Sequence, residues 1–246
     1  MTVEEKLTKI AEDMPKVYEA GVEQGKQAEW SAFWDEYQQK GKRTHYAHAF
    51  AGHGWTKNNF KPKYDIRPTN ARLMFNYSTV LNFDMVELSE QLGIVFDFSN
   101  CTSFYQCFTG DFFKRLGVID TTSAKSLDNA FSDFRGDTID KLIIKEDGTT
   151  SYSNGFYLAY NLINLTLEGV IGTSGFTFKD CTKLNKASIE SIVNALSTTT
   201  TGLTVTFSKT AVNKAFATTT GGSNGSTSAE WLALVATRSN WTIALA

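Results

Sequence analysis

The sequence predicts an α/β repeat fold: a short leucine-rich-repeat solenoid with an N-terminal helical stem and an α+β C-terminal cap. Three observations between Phe104 and Ile192 carry that expectation. A mostly aliphatic trio recurs with a spacing of three, then two. It occupies Leu116, Ile119 and Thr121, then Ile139, Leu142 and Ile144, then Leu162, Leu165 and Leu167, then Leu184, Ala187 and Ile189. A phenylalanine precedes each trio, at Phe108, Phe131, Phe156 and Phe178. The trios return every 22 to 23 residues, within the roughly 20–29 that such repeats keep.

These copies divide the chain. Residues 71–196 form the expected solenoid, 1–41 a helical segment for oligomerisation or docking, 42–70 an aromatic junction, and 197–246 a Thr-rich cap. End repeats need covers, because each repeat buries its apolar face only against a neighbour.

In the first segment, Val3, Leu7, Ile10, Met14 and Val17 alternate in steps of four and three, the seam of a coiled coil. Pro15 removes a backbone donor, and is expected to kink or end that helix near Met14. The seam is too short to be stable alone; it suits a homo-oligomer, with a trimer favoured, docked on something larger. A second helical face restarts at Trp30, Phe33, Trp34 and Tyr37, and Gly41 stops it. The junction supplies Tyr46, Phe50, Trp55, Phe60 and Tyr64 as an aromatic plug.

Met74, Phe75, Leu81 and Phe83 begin a divergent copy, interrupted by a helix over 86–92 that Gly93 terminates. Ile94, Phe96 and Phe98 alternate as a strand after it. In the third copy Asp147-Gly148 marks a turn and a local excursion. Beyond Ser188 the pattern turns helical through Ile189, Ile192, Val193 and Leu196, and Leu203–Phe207 alternates as a strand. A short helix around Ala211–Phe216, a Gly/Ser loop, a helix capped by Ser228, and a strand over 241–245 complete the chain.

Composition narrows the function classes. The net charge is −2, and no block of Lys or Arg stands out, which argues against a nucleic-acid phosphate backbone as partner. The N-terminus lacks the basic and apolar regions of a secretory signal, and no apolar run approaches the ~20 residues of a membrane helix. His45, His48 and His53 lie close in sequence, but no thiol or carboxylate is placed to complete a metal site. Cys101 and Cys107 are at most a local bridge; the preferred reading for all three cysteines, Cys181 included, is small buried apolar residues. No cofactor motif, nucleophile elbow or phosphate loop occurs, and the spacing of Asp111, Asp128, Asp133, Asp137 and Asp140 demands no glycosidase pair. The expectation is a protein that is not an enzyme.

The pattern Phe178-Lys-Asp-Cys181-Thr-Lys-Leu184 resembles the BspA-like leucine-rich repeats of bacterial surface proteins, over roughly Ala71 to Ser197. It departs from them in lacking the proline that often follows the strand, and its copies vary in length. Three further stretches, Ala28–Trp34, Phe60–Ile66 and the block from Leu184 to Trp241, resemble proteins encoded in gut bacteria and their phages. The resemblance implies adhesion or receptor binding. Without an export signal, it points to a phage tail protein, assembled in the cytoplasm and carried in the virion, rather than to a bacterial cell-surface adhesin. Its partners would be tail or baseplate subunits, and a host surface protein or glycan. A virion spacer with only structural contacts is the competing class.

A binding surface follows from strand alternation, because residues between the apolar ones face outward. Stacking the copies gives one outward column of Val118, Lys141, Asn164 and Lys186, and a second of Asp120, Ile143, Thr166 and Ser188. Lys141, Asn164, Lys186 and Thr166 are the candidate ligand-binding residues. Tyr105, Tyr152, Tyr157 and Tyr160 are aromatic candidates for sugar stacking.

Overall fold

The phenylalanines of the recurring pattern form one continuous stack. A computed structural model describes residues 33–51, 60–77, 84–110, 113–219 and 222–246. In it Phe75, Phe108, Phe131, Phe156, Phe178 and Phe207 follow one another with ring centroids 5.0 to 5.7 Å apart and interplanar angles of 7° to 26°. Phe50 extends the stack at one end, and Trp231 closes the other edge-on. Offset stacking of this kind contributes about 0.5–1.5 kcal/mol per pair beyond burial. All of these side chains belong to one core that runs from Trp34 to Trp241.

Backbone hydrogen bonds hold the rungs at that spacing. The amides of Phe50, Phe75, Phe108 and Phe131 donate to the carbonyls of Met74, Cys107, Ala130 and Gly155 at 2.8 to 3.0 Å. These segments are successive tight turns, with left-handed backbone at Leu73, Gln106, Asn129, Asp133, Asn154 and Leu158. Such a conformation costs a non-glycine residue about 1–2 kcal/mol. It persists because each turn is pinned from both sides by its neighbours.

Opposite the turns, three strands pair in parallel: β1 (Arg115–Asp120), β2 (Thr138–Ile143) and β3 (Asn164–Glu168). Leu116 pairs with Ile139, and Ile139 with Leu165. A constant shift of 23 would have aligned Leu162 with Ile139, so the true register of the third copy is three residues later. The excursion at Asp147 supplies the added length, closed by Asp147 accepting from the Thr149 amide at 3.0 Å and its hydroxyl at 2.8 Å.

Helices cover both sides of this sheet. Asp84 bridges to Arg115 and its carboxylate accepts from the amides of Val86 and Glu87, which starts α1 (Met85–Leu92) beside β1. Gly93 ends α1 in the left-handed conformation. At the other side the Asn185 amide bonds the Ile163 carbonyl, as a strand residue would, but its side chain then caps the Ser188 amide at 2.8 Å and starts α2 (Lys186–Ala195). Ser188 and Ser191 then accept from the β3 amides of Leu165 and Leu167, each at 2.8 Å. Their hydroxyls donate back to the carbonyls of Ile163 and Leu167. Serine hydroxyls thus satisfy the edge of β3 where a fourth strand was expected.

A second parallel sheet is built from β4 (Thr177–Phe178), β5 (Leu203–Phe207) and β6 (Trp241–Leu245). Phe178 pairs with Phe207, and Phe207 with Leu245. The second sheet therefore joins residues on both sides of the expected boundary at 196/197. Two helices, α3 (Lys209–Ala215) and α4 (Ala229–Ala236), connect β5 to β6, capped by Ser208 and Ser228.

These findings correct the predicted fold class. Among the described residues the chain does not form an α/β leucine-rich-repeat solenoid; it forms two small parallel sheets of three strands with flanking helices. Only three consecutive copies become strands. Leu184, Ala187 and Ile189, expected as the fourth, lie at and inside the start of α2, because Asn185 caps a helix there. The oligomerisation seam of Val3, Leu7, Ile10, Met14 and Val17 lies outside the described residues, as do Trp55, Leu81, Phe83 and His53. No described helix is long and apolar enough to cross a membrane.

Truncating the stack at its centre should be costly. Phe131→Ala is expected to destabilise the fold by about 3–5 kcal/mol and Phe131→Leu, which keeps most of the volume, by about 1–2 kcal/mol. Urea unfolding checks both, and an unchanged stability for Phe131→Leu would show that stacking adds nothing to volume. Ser188→Ala and Ser191→Ala should each cost about 1–3 kcal/mol by orphaning a β3 amide. Hydrogen exchange should then speed up at Leu165 and Leu167 before it does at Ile139.

Candidate functional site

The four predicted ligand-binding residues do not converge. Lys141 lies on β2 and pairs with Glu168 of β3 at 2.7 Å. Asn164 donates to the Thr138 hydroxyl at 3.0 Å and accepts from Asn185 at 2.6 Å. Lys186 is not on the sheet at all; it begins α2, pairs with Glu230 and lies over the Phe216 ring. Thr166 is exposed, and sits at an irregularity where two residues of β2, Asp140 and Lys141, oppose one of β3. That bulge breaks the column of Val118, Lys141 and Asn164, because Asn164 pairs with Thr138 instead. The second column fails too: Ser188 is buried in the edge bond, and Asp120 continues through Ile143 to Glu168.

This outward face is internally paired. Arg115 makes a two-pronged contact to Asp140, Nε to Oδ1 at 2.7 Å and NH2 to Oδ2 at 2.8 Å, and reaches Asp84 at 3.5 Å. With Lys141–Glu168 beside it, both cations of β1–β3 sit in ion pairs. Such half-exposed pairs are worth about 0–1 kcal/mol each, so a ligand would compete with partners already in place.

A different surface gathers charge with fewer such partners. Lys114, Arg135, Gly136, Asp137, Asn161, Ile163 and Lys183 line a groove of about 290 Å³. Lys114, Asp137 and Ile163 immediately precede β1, β2 and β3, so the groove runs along the starts of the parallel strands. Its floor is close-packed backbone: the Asp137 amide bonds the Lys114 carbonyl at 2.9 Å, and the Ile163 amide bonds the Asp137 carbonyl at 2.8 Å. Gly136 is required, since a Cβ there would overlap the Phe113 carbonyl.

Along its rim Lys183 Nζ donates to Asn161 Oδ1 at 2.8 Å, and Asn161 Nδ2 donates to the Arg135 carbonyl at 3.3 Å. A neutral amide therefore positions Lys183. Arg135 meets Asp133 at 3.2 Å, while Lys114 has no ion-pair partner among the described residues. Asp137, the groove's own carboxylate, accepts from the Thr138 hydroxyl at 2.7 Å.

Two exposed tyrosines lie close to residues of this groove without lining it. Tyr160 precedes Asn161 in the chain and is 49% exposed; Tyr157 is 37% exposed, with Lys179 5.3 Å above its ring. Partial desolvation, then the fields of Asp180, Tyr157 and Asp133, holds the Tyr160 hydroxyl above the usual phenol range. Asp180 is fixed by the Leu158 amide at 3.1 Å. Of the other aromatic candidates, Tyr152 is buried against Phe176 and Tyr105 lies under Arg72.

A second cavity of about 400 Å³ lies between Gly41, Arg43, Lys63, Tyr64, Asp65, Arg67 and Ile94. Its cations are already engaged. Lys63 pairs with Asp35 at 2.8 Å, Arg67 with Asp65 and Asp97, and Arg43 donates to the carbonyls of His45 and Tyr37. Ion pairing with Lys63, then the Tyr64 hydroxyl, lowers the Asp35 carboxyl. Among the described residues no cluster of His, Cys, Asp and Glu has metal-holding geometry.

Sequence reasoning named Tyr157 and Tyr160 but missed the groove's cations, because for polar side chains it followed strand columns. The signal was present one step earlier: Arg135, Asn161 and Lys183 follow their phenylalanines by four, five and five residues. Neither protein-family models, curated proteins nor solved structures give a match to the chain.

The cysteines are free and buried. Burial pushes the Cys101 thiol up to about 11 and raises Cys181 further still. Since the thiolate is the nucleophile, a thiol-reactive dye at pH 8 should label Cys101 and Cys181 far more slowly than it labels glutathione. The Cys101 rate should keep rising toward pH 11, and labelling should become rapid in denaturant; fast labelling of the native protein would contradict this burial.

Proposed function

We propose that this chain is a non-enzymatic recognition protein whose strand-start groove contacts a host cell surface. What supports the reading is one juxtaposition: a polar groove lined by three cations, with exposed Tyr160 next in the chain to its lining residue Asn161 and within the field of exposed Tyr157. Tyrosine faces stack on apolar ring surfaces while their hydroxyls hydrogen-bond, and neighbouring amides and charges fix orientation.

The phage-tail setting, with tail or baseplate subunits as partners, rests on the sequence resemblance around Ala28–Trp34, Phe60–Ile66 and Leu184–Trp241. Self-association rests on the Val3–Val17 seam. In this reading the seam gathers copies so that weak individual contacts act together. A few weak sites joined in this way can exceed one site's affinity by orders of magnitude.

Fluorescently labelled full-length protein, incubated with intact cells and purified cell-wall material from a panel of gut bacteria, tests the proposal. Saturable binding to at least one surface, weakened about tenfold by Tyr157→Ala with Tyr160→Ala, is expected. The ligand should be recovered at unchanged mass. Binding to no surface favours a spacer with purely structural contacts, and shortened ligand would mean an enzyme.

A further inference from the structure

We infer that the groove takes the anionic group of an acidic saccharide, a carboxylate or a phosphate, while a sugar ring rests on Tyr160; this deepens the recognition reading and depends on it. The charge balance carries the argument. Lys114, Arg135 and Lys183 line the groove against a single carboxylate, Asp137. Arg135 is already paired with Asp133 at 3.2 Å, which leaves the two lysines to receive the anion.

Lys183 and Lys114 are the decisive groups. Lys183 is held by the Asn161 side-chain oxygen, so an arriving anion completes its coordination without breaking an ion pair. Lys114 is exposed, with no ion-pair partner among the described residues. In the second cavity, by contrast, an anion would have to displace Asp35 from Lys63, or Asp65 and Asp97 from Arg67. On the outward sheet face it would have to displace Asp140 from Arg115 or Glu168 from Lys141. The groove is the place where an added negative charge replaces little.

The groove is also sized for a sugar, with tyrosines close by. A volume of about 290 Å³ is at the lower end for small-ligand sites, roughly 300–1,000 Å³, which suits one charged residue of a chain rather than a whole oligosaccharide. Neighbouring residues of the same polymer would run over Tyr160 toward Tyr157, where Asp180 and Asp133 can accept from sugar hydroxyls. Those carboxylates also disfavour a second anion there. The surface therefore reads as one charged pocket followed by a neutral, hydroxyl-accepting step.

The test uses the full chain against three immobilised polymers: polygalacturonate for carboxylates, polyglycerol phosphate for phosphates, and neutral dextran. Binding to one or both charged polymers, at least tenfold tighter than to dextran and weakening as salt rises, is expected; which polymer binds identifies the source of the charge. Lys114→Gln with Lys183→Gln should weaken that binding tenfold or more, while Lys63→Gln leaves it unchanged. An unaltered melting temperature certifies each variant as folded, and Lys114→Glu alone provides an independent reversal of charge. Preference for dextran, no binding to either charged polymer, or a double variant that binds as the parent does would overturn the inference. If the double variant still binds whole cells, only the groove assignment falls; if the parent binds no cells, the recognition reading falls with it.

Discussion

Everything in this fold hangs on the separation between stacked phenylalanine rings. Rings in near-parallel offset contact must lie about 5 Å apart, close to the distance between hydrogen-bonded strands. One spacing therefore satisfies both the side chains and the backbone. The turns carrying Phe50, Phe75, Phe108 and Phe131 exchange backbone hydrogen bonds at that spacing, and β4 and β5 continue it through Phe178 and Phe207. The stack passes from turns into a sheet without a break, which is how two separate sheets come to share one core.

What ends the first sheet is a choice made at single residues. Asp84 and Asn185 occupy strand-like positions, yet each has a short side chain that caps a helix. After Asn185 the chain offers Ser188 and Ser191, whose hydroxyls meet the amides of β3. A helix leaves its side chains, not its backbone, to satisfy a neighbouring strand. The two serines are spaced three apart, so they share one helix face and can do so. A fourth strand would have used backbone groups for the same bonds, but capping makes the helix the better local solution, and local preference and edge satisfaction agree.

The same residues explain what was legible in the sequence. The phenylalanine positions were legible because a buried ring stack disfavours polar residues, and their first two intervals, 23 and 25, match the β1–β2 pairing and the β2–β3 pairing beyond the bulge. The aliphatic trios misled, because Leu162 and Leu165 are both buried and only pairing distinguishes them. The caps at Asp84 and Asn185 were legible in principle, as short polar residues before helical periodicity, but a repeating pattern invites extrapolation over them. The candidate site was harder. Lys141 and Lys186 share a column in arithmetic but not in space, because the bulge at Asp140–Lys141 and the start of α2 each shift the geometry by one local event. Strand β5, the helix capped by Ser228 and β6 fall where alternation and capping place them.

Charge pairing then separates structural surface from available surface. On the outward face of β1–β3, neighbouring strands put opposite charges side by side, so Arg115 and Lys141 are neutralised by Asp140 and Glu168. At the strand starts, the chain has just left a turn, and side chains there are spaced by turn geometry instead of by strand pairing. Lys183 finds an amide in Asn161, not a carboxylate, and has no ion-pair partner among the described residues. Gly136 lets the backbone close beneath, which keeps the cations at the rim of a depression rather than dispersed over a convex edge. A concave site with low-dielectric walls concentrates the field of its charges. In a chain of net charge −2, two lysines at one groove with no ion-pair partner among the described residues mark a local field opposite in sign to the whole.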